Sequence, residues 1–340
     1  MRTILLEQPE QLRLLDAKPP EEPGPGEALV RVGHVGVCGT DLHAFKGKQP
    51  FFDYPRILGH ELGVEVVALG PTDENSGLAV GHRCAVEPYL ECGRCGACCR
   101  GRANCCENLK VLGVHTDGGM QELFVVPAGK LHRSDSIPLD NLALVETLCI
   151  GAHAVERARL AKDDTVLVIG AGPIGLSVIE FARSAGAKVM VMEISENRLA
   201  FCRERLGIDL TIDGKSDPVS QLRDLLSRDL PTVVFDATGN GASMQRAFDY
   251  VAHGGRLVFV GLFQGDVTFH DPDFHRREMT LLSSRNATRE DFVQVIQTLE
   301  AGKIDLAPWI TNRVPPEEIV EAFPRWFEPE SNVVKALLEF

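Results

Sequence analysis

A short run of aliphatic and β-branched residues, Thr165-Val166-Leu167-Val168-Ile169, passes directly into Gly170-Ala171-Gly172-Pro173-Ile174-Gly175, and Leu176–Ala185 then carries a helical pattern. Glycines at that spacing carry little weight alone. Here a strand run precedes them, a helix follows, and the next strand run, Lys188–Met192, ends on an acidic residue, Glu193. That context specifies a dinucleotide-binding strand–turn–helix. Gly170 makes the turn, Gly172 lets the backbone approach a pyrophosphate, and Gly175 lets helix pack on strand. Pro173 and Ile174 belong to the same turn, and the phosphate charge meets the N-terminus of the helix that follows. The Glu193 carboxylate can accept both ribose hydroxyls of the adenosine and repels a 2′-phosphate, so NAD is expected rather than NADP. Arg198 lies five residues on and either covers the adenine or balances Glu193.

The 340 residues are enough for two domains of roughly 150 each. In the first half, Ala28–Val32 and Gly63–Ala68 are β-branched runs punctuated by turn clusters such as Pro23-Gly24-Pro25-Gly26. They predict an antiparallel β domain with few helices. From about residue 140, helical patterns alternate with the strand runs Thr165–Ile169, Lys188–Met192, Thr232–Asp236 and Arg256–Val260, which predict βαβ units and a parallel sheet. A helix over Glu290–Ala301 and an amphipathic tail follow. The expected division is 1–149, then a βα insert over 150–285, then a return to the first domain over 286–340.

Ten cysteines occupy 38, 84, 92, 95, 98, 99, 105, 106, 149 and 202, so six fall within fifteen residues. In a chain of this length such clustering argues for metal binding in a reducing compartment rather than disulfides. Cys92-Gly-Arg-Cys95-Gly-Ala-Cys98, with Cys106 closing the loop, has the spacing of a structural four-thiolate zinc site. Cys99 and Cys105 are alternatives to their neighbours, although the spacing favours Cys98 and Cys106. A second group is mixed: Cys38-Gly39-Thr40-Asp41-Leu42-His43 and Gly59-His60-Glu61 bring thiol, imidazole and carboxylate from separate segments. A donor set of that kind, with a position left for substrate or water, describes catalytic zinc.

With these segments in this order, the whole chain resembles the zinc-dependent medium-chain dehydrogenases of the alcohol, polyol and threonine dehydrogenase group. The resemblance implies an α/β fold, in which a β-rich GroES-like catalytic domain carries a structural zinc lobe (85–115) and is joined to a Rossmann NAD-binding domain with a parallel sheet. It implies two zinc ions per chain. Cys38 and His60 match the zinc ligands, Glu61 the carboxylate that ligates or exchanges with water, and Glu146 the position where polyol and threonine enzymes carry glutamate. Asp41 matches the group that orients the zinc-bound histidine, and Thr40 and His43 match the hydroxyl and imidazole of a proton relay. Val260-Gly261-Leu262 and Ser284-Arg285 match segments lining the nicotinamide half. One departure concerns the glycine the family usually has three positions after the glutamate of Gly-His-Glu: that position is Val64, and the glycine is Gly63.

The implied reaction binds a substrate hydroxyl to zinc as a Lewis acid, lowering its pKa. Its proton leaves through Thr40, the nicotinamide ribose and His43 to solvent, and hydride passes to the nicotinamide. Glutamate at 146 favours polyhydroxy substrates. The stretch Glu107–Gly119 and the segment Ser284-Arg285-Asn286-Ala287 resemble the sugar-acid branch, the L-galactonate and L-gulonate 5-dehydrogenases. Arg285, with Asn286, is a candidate clamp for a substrate carboxylate, which a guanidinium fork fits bidentately. The alternatives are a threonine or short-diol dehydrogenase and, in another class, a non-catalytic nucleotide- or redox-sensing regulator. A complete set of ligand and relay positions speaks against the regulator.

With 35 basic and 48 acidic residues the net charge is −13, so no nucleic-acid or anionic-membrane partner is expected. The N-terminal Met1–Glu7 stretch, broken by its carboxylate, reads as neither signal peptide nor anchor. A cytoplasmic enzyme is expected, and by resemblance a homodimer or homotetramer.

Overall fold

The computed structural model describes residues 1–49, 52–71, 77–326, 328 and 331–340. The chain forms two compact units, Met1–Glu146 with Thr288–Phe340, and Thr147–Ala287.

The first unit is built on a seven-stranded sheet. Its path runs Leu131–Arg133, Arg83–Val86, Glu61–Leu69, Glu27–Val37, Lys335–Glu339 and Ile310–Val314, with Leu123–Pro127 also pairing Glu27–Val37. Every pairing is antiparallel except the last on the path, Ile310–Val314 beside Lys335–Glu339. In Glu27–Val37 the alternation of strand side chains buries Ala28, Val30 and Val32 and leaves Arg31 exposed. Those residues share one core with Ile4, Leu6, Val64, Met120 and Phe323. A smaller antiparallel sheet holds Gln11–Asp16, Arg2–Gln8 and Arg56–Ile57.

Gly63 has a packing role: a Cβ there would lie 1.9 Å from the Leu139 carbonyl oxygen, so the short helix Leu139–Ala143 rests directly on the strand. The glycine displaced by one position thus serves close approach, and Val64 turns into the core.

In the second unit six parallel strands lie in the order Thr211–Asp213, Lys188–Glu193, Thr165–Ile169, Val233–Asp236, Arg256–Phe259, Thr280–Ser283. The chain builds outward in one direction from Thr165–Ile169, then returns to build the other half. The reversal falls between Thr165–Ile169 and Val233–Asp236, where open parallel sheets bind their ligands. Val166, Leu167 and Val168 are fully buried, as expected for a strand covered on both faces. The helix after the glycine turn spans Pro173–Ser184, beginning three residues before the expected Leu176, because Gly172 serves as its N-cap and Pro173 supplies a ready helical φ. Two strands absent from the sequence expectation, Thr211–Asp213 and Thr280–Ser283, are the edges of the sheet.

Candidate active site and metal centres

Cysteines 92, 95, 98 and 106 place their sulfurs within 4.8 Å of one another. Neighbouring sulfurs are 3.5 Å apart for Cys95–Cys98 and for Cys92–Cys106, and 3.9 Å for Cys95–Cys106. A tetrahedron of thiolates with Zn–S bonds of about 2.3 Å has edges of about 3.8 Å, so the set fits zinc as it stands. Backbone N–H groups of Arg94 and Cys95 donate to Cys92 and hold its thiol down to about 6, whereas burial and proton sharing with Cys95 and Cys106 push Cys98 up to about 12. The cluster thus favours the thiolate at Cys92 and opposes it at Cys98, and a divalent cation accommodates both as thiolates. Cys99 and Cys105 are exposed.

The mixed group is organised by Asp41. Cys38 caps the helix Gly39–Phe45, and its backbone N–H donates to Asp41 Oδ2 at 2.9 Å. The other Asp41 oxygen accepts from Gly59 N at 3.4 Å and lies 3.7 Å from His60 Nδ1. One buried carboxylate therefore joins the two segments that carry the thiol and the imidazole. Cys38, His60 and Glu61 bring their donor atoms within 4.8 Å of each other. His60 Nδ1 is buried and makes no hydrogen bond among the described residues. Burial alone would depress the His60 imidazolium, yet the carboxylate of Asp41 and then the thiol of Cys38 hold it well above its usual range. Buried anionic donors gathered round a proton form a site that fits a cation in the proton's place.

The two glutamates at this site are held differently. Glu61 opens its strand opposite Gly36, where a Cβ would come within 2.1 Å of Glu61 Oε2, so the carboxylate needs that glycine. Lys335 Nζ lies 2.7 Å from each Glu61 oxygen, and both side chains are almost wholly buried. Burial alone would depress the Lys335 ammonium, but Glu61 raises it above its usual value. Glu146, in the first turn of the helix Val145–Ala158, accepts a hydrogen bond from the Tyr89 hydroxyl. Burial pushes its carboxyl up, and His60 offsets part of that shift. Neither Lys335 nor Tyr89 was anticipated. A single lysine inside the apolar run Val333-Val334-Lys335-Ala336-Leu337-Leu338 is a signal that a buried anion must meet it. Tyr89 carries no comparable signal, because its partner lies 57 residues away.

Thr40 and His43 stand three apart on the helix Gly39–Phe45, on neighbouring positions of its surface, with Thr40 half-buried and His43 exposed.

In the second unit Gly170 adopts φ +95°, a conformation that disfavours other residues. A Cβ at Gly175 would lie 1.9 Å from Gly170 O, so the helix presses directly against the turn. Gly172 differs: among the described residues the only neighbour within 4 Å of an added Cβ is the Arg198 guanidinium, at 3.8 Å. Packing within the protein does not require glycine there, whereas close approach of a diphosphate to the helix N-terminus does. Glu193 Oε2 accepts from Ala171 N at 2.9 Å, and Oε1 accepts from Ile194 N and Ser195 N at 2.7 and 3.1 Å. Arg198 Nη1 lies 3.9 Å from Glu193, so it balances this carboxylate loosely. Val260 and Gly261 are half-buried, and Leu262 beside them is 73% exposed. Ser284 Oγ and Asn286 Nδ2 are buried without a hydrogen-bond partner among the described residues, flanking the exposed Arg285. Orphaned polar atoms of this kind call for a polar ligand.

Residues 24–136 match the alcohol dehydrogenase GroES-like domain, and residues 173–301 match the zinc-binding dehydrogenase domain. The chain is 42% identical to L-galactonate-5-dehydrogenase of Escherichia coli (strain K12), over 100% of this chain and 99% of that protein. It is 32% identical to 2-dehydro-3-deoxy-L-galactonate 5-dehydrogenase of Pseudoalteromonas atlantica, over 93% and 92% of the two chains. Among solved structures it resembles the alcohol dehydrogenase RspB of Escherichia coli CFT073 in complex with NADH. That match has a TM-score of 0.92 and 30% identity, and it covers 100% of this chain and 99% of the other.

Proposed function

Since the chain belongs to the zinc-binding dehydrogenase family, we propose that it oxidises a secondary hydroxyl of a sugar acid of the L-galactonate type, with NAD as hydride acceptor. The observation that carries this reading is the meeting of a thiol, an imidazole and a buried carboxylate at Cys38, His60 and Glu61, with the buried Glu146 carboxylate near enough to act on His60, in a chain alike over its full length to a sugar-acid dehydrogenase.

When bound, zinc supplies Lewis acidity that makes a substrate hydroxyl more acidic, and NAD supplies the hydride acceptor. Cys38 and His60, with the carboxylates of Glu61 and Glu146, would hold the reactive metal. The Asp41 carboxylate, 3.7 Å from His60 Nδ1, draws that side of the ring toward itself by charge and would leave Nε2 to ligate. Thr40 Oγ would accept the proton leaving the substrate hydroxyl as it gives up its own toward the ribose hydroxyls of the bound cofactor, and the exposed His43 imidazole would pass that proton to solvent. The second unit holds the dinucleotide through Gly170, Gly172 and the helix beginning at Pro173, with Glu193 on the adenosine ribose. Arg285, assisted by Asn286, takes the carboxylate of the substrate.

The metal, cofactor and substrate therefore have separate holders, and the four-cysteine lobe supports the fold without an open ligand position. We place the enzyme in the cytoplasm, where ten thiols outside any disulfide remain reduced. No described helix is long and apolar enough to cross a membrane. A homodimer or homotetramer is supported by the edge strand Thr280–Ser283, which leaves Thr280, Leu281 and Ser283 exposed. The test is a panel of L-galactonate, L-gulonate, galactitol, L-threonine and butanediol with NAD, following the reduced cofactor. Highest kcat/KM on a sugar acid is expected. Preference for threonine or butanediol overturns the substrate class, and no turnover on any of them overturns the assignment.

A further inference from the structure

The four-cysteine lobe and the mixed site are joined by a short, firmly held segment. Tyr89–Leu90 pairs antiparallel with Lys110–Val111, Tyr89 opposite Val111 and Leu90 opposite Lys110. Two residues past Leu90 comes Cys92, and four before Lys110 comes Cys106, whose sulfurs are 3.5 Å apart. The thiols thus clip the two arms of this ribbon at one end, and Tyr89 stands at the other.

The segment is also pinned from the side. Glu87, Tyr89 and Glu91 are spaced by two, and Lys130 Nζ bridges the outer pair at 2.5 and 2.6 Å. His132 Nε2 lies 2.9 Å from the second oxygen of Glu87, and its ring stacks on Phe292 with centroids 4.7 Å apart. Phe292 in turn receives the edge of the Tyr89 ring at 6.3 Å. Tyr89 is 4% exposed, so its position is set by its neighbours, and its one hydroxyl proton goes to Glu146. An oxygen of Glu146 that accepts from Tyr89 leaves the second oxygen directed by the geometry of the first.

Resting on the reading of Cys38, His60 and Glu146 as one metal site, we propose that Tyr89 is a positioning residue for Glu146 and the element through which the four-cysteine lobe sets the geometry of the reactive metal. The lobe then does more than stabilise its own loop. Closing its thiolates fixes the ribbon, the ribbon fixes the phenol, and the phenol orients the carboxylate. Partners that orient a ligand in this way alter metal affinity or activity by about ten- to a hundredfold when removed.

The test uses the whole enzyme with zinc in the lobe and cobalt(II) at the mixed site. Tyr89→Phe keeps the ring against Phe292 and removes only the hydroxyl. Shifted cobalt absorption bands are expected, together with release of the metal to a chelator roughly tenfold faster, while the melting temperature stays close to that of the unaltered protein. Cys106→Ser, which loosens the lobe, should shift the same bands and add nothing further in the Y89F background. If Cys106→Ser does not fold, Glu91→Gln takes its place, since it weakens the Lys130 contact beside Cys92 and leaves Glu87 and all four thiols. Bands and release rate unchanged in Y89F overturn the positioning role. Full additivity of the lobe variant with Y89F overturns the coupling. If the unaltered protein takes up cobalt only with a four-thiolate spectrum, the mixed-site reading itself falls, a result distinct from the other two.

Discussion

Replacing Lys335 by methionine tests how the buried charges around Glu61 are balanced. Lys335 Nζ donates to both oxygens of Glu61 at 2.7 Å and lies 3.3 Å from Val37 O, with the two side chains 1% and 0% exposed. Methionine keeps most of the stem's volume but leaves an anionic carboxylate buried beside Cys38 and Glu146. Removing one partner of a buried ion pair costs about 3–5 kcal/mol, because the other charge stays behind without water. Neutralising both partners costs less, so Glu61→Gln combined with Lys335→Met should recover at least about 1–2 kcal/mol of that loss. Urea denaturation of the metal-free protein, in which Lys335 is the cation facing Glu61, reads both values as shifts in midpoint at constant slope.

The pH dependence follows from the raised pKa of Lys335. The pair's contribution is complete below the unfolded lysine value of 10.5 and is lost only as pH rises through the higher folded value. The gap between the unaltered protein and K335M should therefore stay constant from pH 7 to about pH 10 and narrow above that. Loss of under about 1 kcal/mol in K335M, or a double variant as unstable as the sum of its parts, would refute the reasoning.

Glu193→Ser removes the carboxylate proposed to meet the adenosine ribose, and on that proposal the ratio of kcat/KM for NAD over NADP should fall about tenfold or more. That ratio is the quantity to read, because the backbone donors of Ala171, Ile194 and Ser195 also lose their acceptor, and an unaltered ratio rejects the cofactor assignment. Arg285→Ala should lower kcat/KM for the best sugar acid by about ten- to a hundredfold, mostly through KM. Unchanged kinetics would remove Arg285 from the substrate's carboxylate.

How much of this was legible before the fold was known follows the range of each interaction. The glycine turn could be read because its parts lie within about thirty residues and each glycine has a local steric reason, as the 1.9 Å approach at Gly175 illustrates. The family likewise followed from motifs whose spacing encodes chemistry. Cys38 and His60 are 22 positions apart, but each sits in a recognisable short segment. What escaped was the support behind those segments. Lys335 reaches Glu61 across 274 residues and Tyr89 reaches Glu146 across 57, so only the pairing of distant strands brings them together. The edge strands Thr211–Asp213 and Thr280–Ser283 were missed for a related reason: each is only three or four residues long and owes its form to the neighbour it pairs with.

In the proposed mechanism two metal sites divide the work, and turnover belongs to the cysteine-poor one. That division is tested most directly by measuring zinc per chain and NADH formation from L-galactonate on the same samples of the unaltered protein and Cys38→Ser. About two zinc ions per chain and active turnover are expected for the unaltered protein, against about one zinc and no turnover for C38S. Retention of both zinc ions by C38S, or turnover undiminished without Cys38, would contradict it.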